Sequence, residues 1–257
     1  MAARTLKVIL LSHTPVPQEV VAMGARLCYS SSDIGELQEG ITGREQAFFL
    51  EKLLGSGHLS PIEHASFTFG IEGVSRSLMA QITRHRLASF SVKSQRYVSA
   101  ASPGSEDRVF DYIIPPRIEA LGPQYVQEFA RQMKQIQEWY DFWHAKLTAA
   151  GETASEDARF VLPNATETKL LVTMNARELR HFFSLRCCNR AQWEIRALAI
   201  TMLKLVKAIA PVLFKEAGPL CLRGNCPEGR MSCGKSIEVR QFFQNLSVGV
   251  QGNNKGH

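Results

Sequence analysis

Between Pro123 and Leu147 apolar side chains recur at helical spacing, with Tyr125, Phe129, Met133, Ile136, Tyr140 and Trp143 forming one stripe. This long amphipathic segment constrains the fold more than any other, because its apolar face has to be covered by other elements. Short strand-like runs are available to do so. Lys7 to Leu11 reads as a buried strand, Ser66 to Ile71 alternates Phe67 and Phe69 with small or polar residues, and Lys169 to Asn175 reads as a strand carrying Leu171, Val172 and Met174. Helical spacing also covers Pro17 to Cys28, Ser75 to His85, Ala176 to Leu185 and Ala191 to Leu213, and Thr42 with Glu45 fits a capping box opening a helix through Leu54. Loops are expected at Tyr29 to Asp33, Ser99 to Gly104 and Gly151 to Asp157. The expected class is α/β (α+β), a mixed fold with a central sheet and long packed helices, and no internal repeat is visible.

The chain has 257 residues, 45% of them hydrophobic and 21% charged, a balance that argues against general disorder. No apolar run is long enough to cross a bilayer. Arg4, Lys7 and the run Val8 to Leu11 resemble the start of a signal peptide, but His13 and Pro15 end it too soon, so a cytoplasmic protein is expected. Six cysteines, at positions 28, 187, 188, 221, 226 and 233, are then expected to be reduced. The net charge of +6 comes from 19 arginines and 11 lysines. Excess arginine suits bidentate recognition of phosphate or carboxylate, and by itself leaves a nucleotide and a nucleic acid both open.

The charge is concentrated. Residues 84 to 97 hold Arg84, His85, Arg86, Lys93 and Arg96 with Ser89, Ser91 and Ser94, and contain no carboxylate. Gln81 and Arg84 share overlapping helical faces, after which the chain is expected to turn through the serines, whose hydroxyls can donate to phosphate or to ring carbonyls. A solvated basic loop is the plain alternative. A second cluster holds Arg159, Asn175, Arg177, Arg180, His181 and Arg186. Arg177 and His181 share a face at a spacing of four, while Asn175 with Glu178 fits an N-cap and capping box. Arg180 is expected to face water or a carboxylate, and an anion at Arg186 must overcome the helix C-terminal dipole. The third cluster, His58, Ser60, Glu63 and His64, lacks tight metal-ligand spacing and is read as a turn set by Pro61. Cys221, Cys226 and Cys233 are spaced too loosely for a zinc knuckle, so no metal is expected. Cys188 lies between Arg186 and Arg190, which would lower its pKa, but no base is placed beside it by spacing.

Arg84-His85-Arg86, Ser89 and Ser94-Gln95-Arg96-Tyr97 resemble the signature of the flavin-dependent thymidylate synthases. Further blocks in the same order are similar to that family: Gly57-His58-x-Ser60-Pro61-x-Glu63-His64, Arg159-x-x-Leu162-Pro163, Asn175-x-Arg177, Phe182-x-x-x-Arg186 and Ala191 to Arg196. The similarity covers about residues 5 to 215, so the expected division is a catalytic domain of residues 1–215 and a cysteine-containing extension of residues 216–257. The resemblance implies an α/β homotetramer with active sites shared between subunits, which converts dUMP to dTMP with FAD as cofactor and methylenetetrahydrofolate and NADPH as co-substrates. It implies that Gln81, Arg84, Ser94, Gln95, Arg96, Arg159 and Arg186 hold dUMP. His58, Ser60, Glu63, Arg84, His85, Arg86, Asn175, Arg177 and His181 fall on or near the flavin, and Arg26 with Cys28 to Ser30 resembles another flavin-phosphate neighbourhood. Arg186, Ser94 and Arg84 are the expected catalytic residues.

Where many family members carry Asn followed by Glu or Gln after Phe90, this chain has Ser91 and Val92, which removes one side-chain hydrogen bond to the nucleotide. Building negative charge on a pyrimidine ring calls for cationic donors beside its oxygens, and Arg186 is the strongest candidate. A basic nucleic-acid-binding protein is the competing reading of the charge, but no nucleic-acid-binding fingerprint accompanies it. Neither a nucleic acid nor a membrane is an expected partner.

Overall fold

The computed structural model describes residues 3–100 and 109–246. Most of the expected loop from Ser99 to Gly104 lies outside the described residues. In chain order the helices are α1 (Pro17–Leu27), α2 (Ile34–Ile41), α3 (Ala47–Gly55), α4 (Arg76–Ile82), α5 (Pro116–Glu119), α6 (Pro123–Ala149), α7 (Ala154–Ala158), α8 (Ala176–Arg186), α9 (Trp193–Ile209) and α10 (Ser236–Gln244). The strands β1 (Lys7–His13), β2 (Ser66–Ser75), β3 (Ala88–Val92) and β4 (Glu167–Asn175) form an antiparallel sheet in the order β1-β2-β4-β3. Its register is marked by Thr14 N–H donating to Ser66 O at 2.9 Å and Lys93 N–H to Lys169 O at 2.9 Å. The facing hydroxyls of Thr68 and Thr173 lie 2.9 Å apart. The fold is mixed helix and sheet, as the segment pattern implies.

Several local expectations change. Residues 88–92 form β3 instead of a turn, because pairing with β4 supplies the backbone partners that a serine-rich run cannot announce locally. The helix expected over Ser75 to His85 stops at Ile82, leaving Arg84 to Arg86 beyond it. The Thr42 capping box does not form: Thr42 closes α2 by donating to Gln38 O, and Glu45 instead accepts from Ala47 N–H. Helix α2 itself, opened by Asp33 accepting from Glu36 N–H, has no counterpart in the sequence reading. The turn expected at Gly151 to Asp157 runs into α7, which extends to Ala158, and α9 starts two residues later and ends four earlier than its apolar pattern.

Contacts divide the chain into two compact units. The first comprises Met1–Lys7, Gly70–Arg84 and Phe90–Leu171. Its core gathers Val109, Phe110, Tyr112 and Met133, with Phe129, Ile136 and Leu162 against them. The long stripe of α6 is only partly buried: Met133, Gln137 and Tyr140 face inward, while Tyr125 and Trp143 are each 49% exposed. Gln137 is polar yet buried because its Oε1 accepts the Phe110 N–H at 2.8 Å, satisfying a backbone donor that the core would otherwise strand. In β2, Gly73 has φ +69, and a Cβ there would lie 1.9 Å from Thr5 O, so only glycine fits.

The second unit comprises Val8–Phe69, His85–Ser89 and Val172–His257. Phe182, Phe183, Phe214 and Phe67 form an edge-to-face chain with centroid separations of 5.7, 6.1 and 5.5 Å. All four are fully buried, each contributing roughly 1.5–3 kcal/mol of apolar burial. Helix α9 turns Ile195, Leu198, Met202 and Val206 inward, and Gln192 caps it by accepting from Glu194 and Ile195 N–H. This packing fixes α8, which carries most of the second charged cluster.

Candidate functional site

Asn175 ends β4 and caps α8, its Oδ1 accepting from Glu178 N–H at 2.9 Å. The expected return bond from Glu178 is not made. That carboxylate instead meets His85, with Oε1 3.1 Å from Nδ1 and the two side chains 6% and 4% exposed. On the other side of the ring, Arg186 donates its Nε–H to His85 Nε2 at 3.1 Å. An arginine Nε always carries hydrogen, so Nε2 must be the acceptor and the imidazole hydrogen sits on Nδ1, pointing at Glu178. Burial pushes the His85 pKa down, the Glu178 hydrogen bond opposes this, and the Arg186 and His181 charges reinforce it. His85 is therefore a neutral ring between an anion and a cation. Phe182 closes one side with an edge contact at 4.9 Å.

Arg186 is the last residue of α8, where the helix dipole favours the guanidinium itself. Arg177 and His181 are exposed on the same helix, and Arg177 Nη1 pairs with Glu63 Oε1 at 2.5 Å. Glu63 lies in a 3-10 turn, Pro61–His64, preceded by exposed His58 and Ser60. Arg86 is also exposed. Arg180, expected to face water or a carboxylate, is half-buried; its Nη1 donates to Leu213 O at 2.5 Å and ties α8 to the chain after α9. Arg26 lies over the Phe49 ring, 4.3 Å from its centroid.

The remaining candidates lie in the other unit. Gln81 is on α4 and donates to Ser77 O, while exposed Arg84 follows the helix end. Ser94 accepts from Arg96 N–H at 3.1 Å, shaping the turn that holds half-buried Gln95. Arg96 Nε pairs with Glu156 Oε2 at 2.9 Å, and Arg159 Nε donates to Glu156 O at 2.8 Å, so α7 links these two arginines. Arg76, which the sequence motifs did not single out, donates from Nη2 to Lys93 O at 2.9 Å and steadies the same turn. Burial and the Arg159 charge push its pKa down. Glu156 was likewise missed, and Glu178 was read only as a capping-box acid; nothing local marks their pairings with Arg96 and His85, which lie far away in sequence.

The candidates thus divide by unit. Gln81, Arg84, Ser94, Gln95, Arg96 and Arg159 fall in one, and His58, Ser60, Glu63, His85, Arg86, Asn175, Arg177, His181 and Arg186 in the other. Cysteine chemistry is disfavoured at Cys187, whose thiol burial pushes up to about 12. Among the described residues no three histidine, cysteine or acidic side chains converge in a group that could hold a metal ion.

Comparison with known proteins converges on one family. The profile described as "Thymidylate synthase complementing protein" matches residues 9–212. A protein of Geobacter sulfurreducens named flavin-dependent thymidylate synthase is 50% identical over 243 residues, covering 95% of this chain and 100% of the relative. One of the same name from Clostridium tetani is 48% identical, covering 93% and 97%. Among solved structures, a UMP/dUMP methylase, PolB, from Streptomyces cacaoi bound with 5-Br dUMP superimposes with a TM-score of 0.61 at 25% identity, covering 82% of this chain and 94% of that one. This chain belongs to the thymidylate synthase complementing protein family, the flavin-dependent thymidylate synthases.

Proposed function

We propose that the chain catalyses the reductive methylation of dUMP to dTMP with FAD as cofactor, methylenetetrahydrofolate as one-carbon donor and NADPH as reductant. We further propose that it works as a homotetramer whose active sites are shared between subunits. The observation that carries the reaction is identity of 50% over 95% of the chain to a relative named for that activity.

The chain's own residues suit these partners. Arg86 and Arg177 offer two exposed guanidiniums to a diphosphate, with His58, Ser60 and His181 as further exposed polar groups. That donor set fits FAD, and Glu63 holds Arg177 in place. When bound, the flavin supplies the redox and one-carbon chemistry. In this reading Asn175 serves the flavin only by capping α8, and His85, buried between Glu178 and Arg186, does not touch it. Arg84, Arg96 and Arg159 grip the dUMP phosphate, Gln81 and Gln95 orient the base, and Ser94 shapes the loop. Arg186 places positive charge against the uracil ring, where negative charge grows as C5 is methylated.

Anaerobic turnover with dUMP, methylenetetrahydrofolate and NADPH, read as dTMP, tests the proposal. The purified protein is expected to be yellow, and Arg186→Ala to abolish dTMP formation while retaining FAD. A colourless protein that takes up no FAD, or salt-sensitive binding of random oligonucleotides without competition by dUMP, would overturn it.

A further inference from the structure

The arrangement around His85 asks for an explanation that packing does not supply. A buried carboxylate and a buried imidazole are costly unless each is paired. The ring is paired on both sides in a fixed direction, with Glu178 at Nδ1 and Arg186 at Nε2. We propose that Glu178 and His85 are positioning residues for Arg186: the Glu178 carboxylate holds the ring hydrogen on Nδ1, which leaves Nε2 as the lone-pair acceptor that clamps the guanidinium through its Nε–H. The inference rests on the assignment of Arg186 to the uracil ring.

The clamp works only in this one state of the ring. With the hydrogen on Nε2, or with both nitrogens protonated, an N–H would face the Nε–H of Arg186, and the contact would turn repulsive. Glu178 selects against the first alternative because it can only accept. Burial, together with Arg186 and His181, selects against the second. Glu178 is itself anchored, since it stands at the capped start of α8 with its own N–H held by Asn175. Arg186 stands at the far end of the same helix. One helix therefore supports the carboxylate and the guanidinium, and His85 bridges them. A guanidinium held this way presents its η-nitrogens in a set plane without reorganising during the reaction.

Two measurements on the full-length FAD-loaded protein test this. Nitrogen-15 spectra of histidine-labelled protein at pH 7 are expected to show His85 neutral with its hydrogen on Nδ1; an Nε2–H ring or an imidazolium overturns the relay, whatever the reaction proves to be. In steady-state turnover, Glu178→Leu is expected to lower kcat on the order of 100-fold, with FAD content unchanged and KM for dUMP moving less than about threefold. Glu178→Gln, whose side-chain oxygen still accepts from Nδ1, is expected to stay within about tenfold of the wild type. Turnover of Glu178→Leu within about twofold of the wild type, or no rescue by Glu178→Gln, overturns the proposal. Should the leucine variant fail to fold, the pair His85→Gln and His85→Leu carries the same contrast, because only glutamine keeps an acceptor for Arg186. Absence of dTMP formation by the wild type would instead reject the assigned reaction, and the spectrum would still decide the relay.

Discussion

Removing the cap of α8 separates a structural role for Asn175 from a ligand role. Asn175 Oδ1 accepts from Glu178 N–H at 2.9 Å, one of the four N–H groups at the helix start that have no partner inside the helix. Asn175→Ala deletes that acceptor, which costs about 1 kcal/mol for a cap of this kind. For a chain of this size a loss of about 1 kcal/mol lowers Tm by roughly 2–4 °C. Asn175→Asp restores an acceptor and adds a negative charge where the helix dipole favours it, so its Tm is expected within about 1 °C of the wild type. The assay is thermal unfolding followed by circular dichroism, with FAD content read from visible absorbance on the same samples. Both variants are expected to keep their flavin. If Asn175 instead touched the flavin phosphates, the aspartate would place like charge against them, and that variant would lose FAD with Tm intact. That outcome, with an unshifted alanine variant, would refute the capping argument.

Three further expectations follow from the geometry. Gly73→Ala places a Cβ 1.9 Å from Thr5 O at a φ of +69, and is expected to cost on the order of 4 kcal/mol, seen as loss of soluble, cooperatively unfolding protein. The folded protein holds the His85 pKa below its ordinary value of 6.5, so the unfolded chain binds more protons just below that pH. Stability is then full above about pH 6.5 and declines as pH falls through the folded pKa, and His85→Gln is expected to flatten this part of the urea-midpoint profile. Cys188→Ser is expected to leave kcat within about twofold of the wild type, and a dead variant would reopen covalent catalysis.

Helix and sheet classes were legible where one face of an element carries a periodic signal. The strands at Ser66 and Lys169, and helices α1, α6, α8 and α9, follow such patterns, whereas the apolar run from Lys7 to Leu11 marked a strand but not its burial: β1 lies at the sheet edge with Ile9 and Leu11 44% and 53% exposed. β3 was not legible, because its alternation of serine with Ala88, Phe90 and Val92 has meaning only beside β4. The stripe of α6 overstated its burial for a related reason. Periodicity reports a face that can be covered, whereas Tyr125 and Trp143 are left half exposed and Gln137 is drawn inside by the Phe110 N–H.

The charged residues were identified individually through their clustering and through the family motifs they match. Their pairings could not be read off, because hydrogen bonds between distant segments depend on where the backbone carries them. Arg177 with Glu63, 114 residues apart, and His85 with Glu178, 93 apart, leave no local trace. By itself the sequence determined the mixed fold class, the family, and the concentration of cation on two segments, since these reside in residue type and spacing. Only the tertiary structure decided that Arg76 steadies the Ser94 turn and that Arg180 serves the scaffold. It also made His85 a neutral link between Glu178 and Arg186, because burial and the direction of hydrogen bonds exist only once the chain has closed on itself.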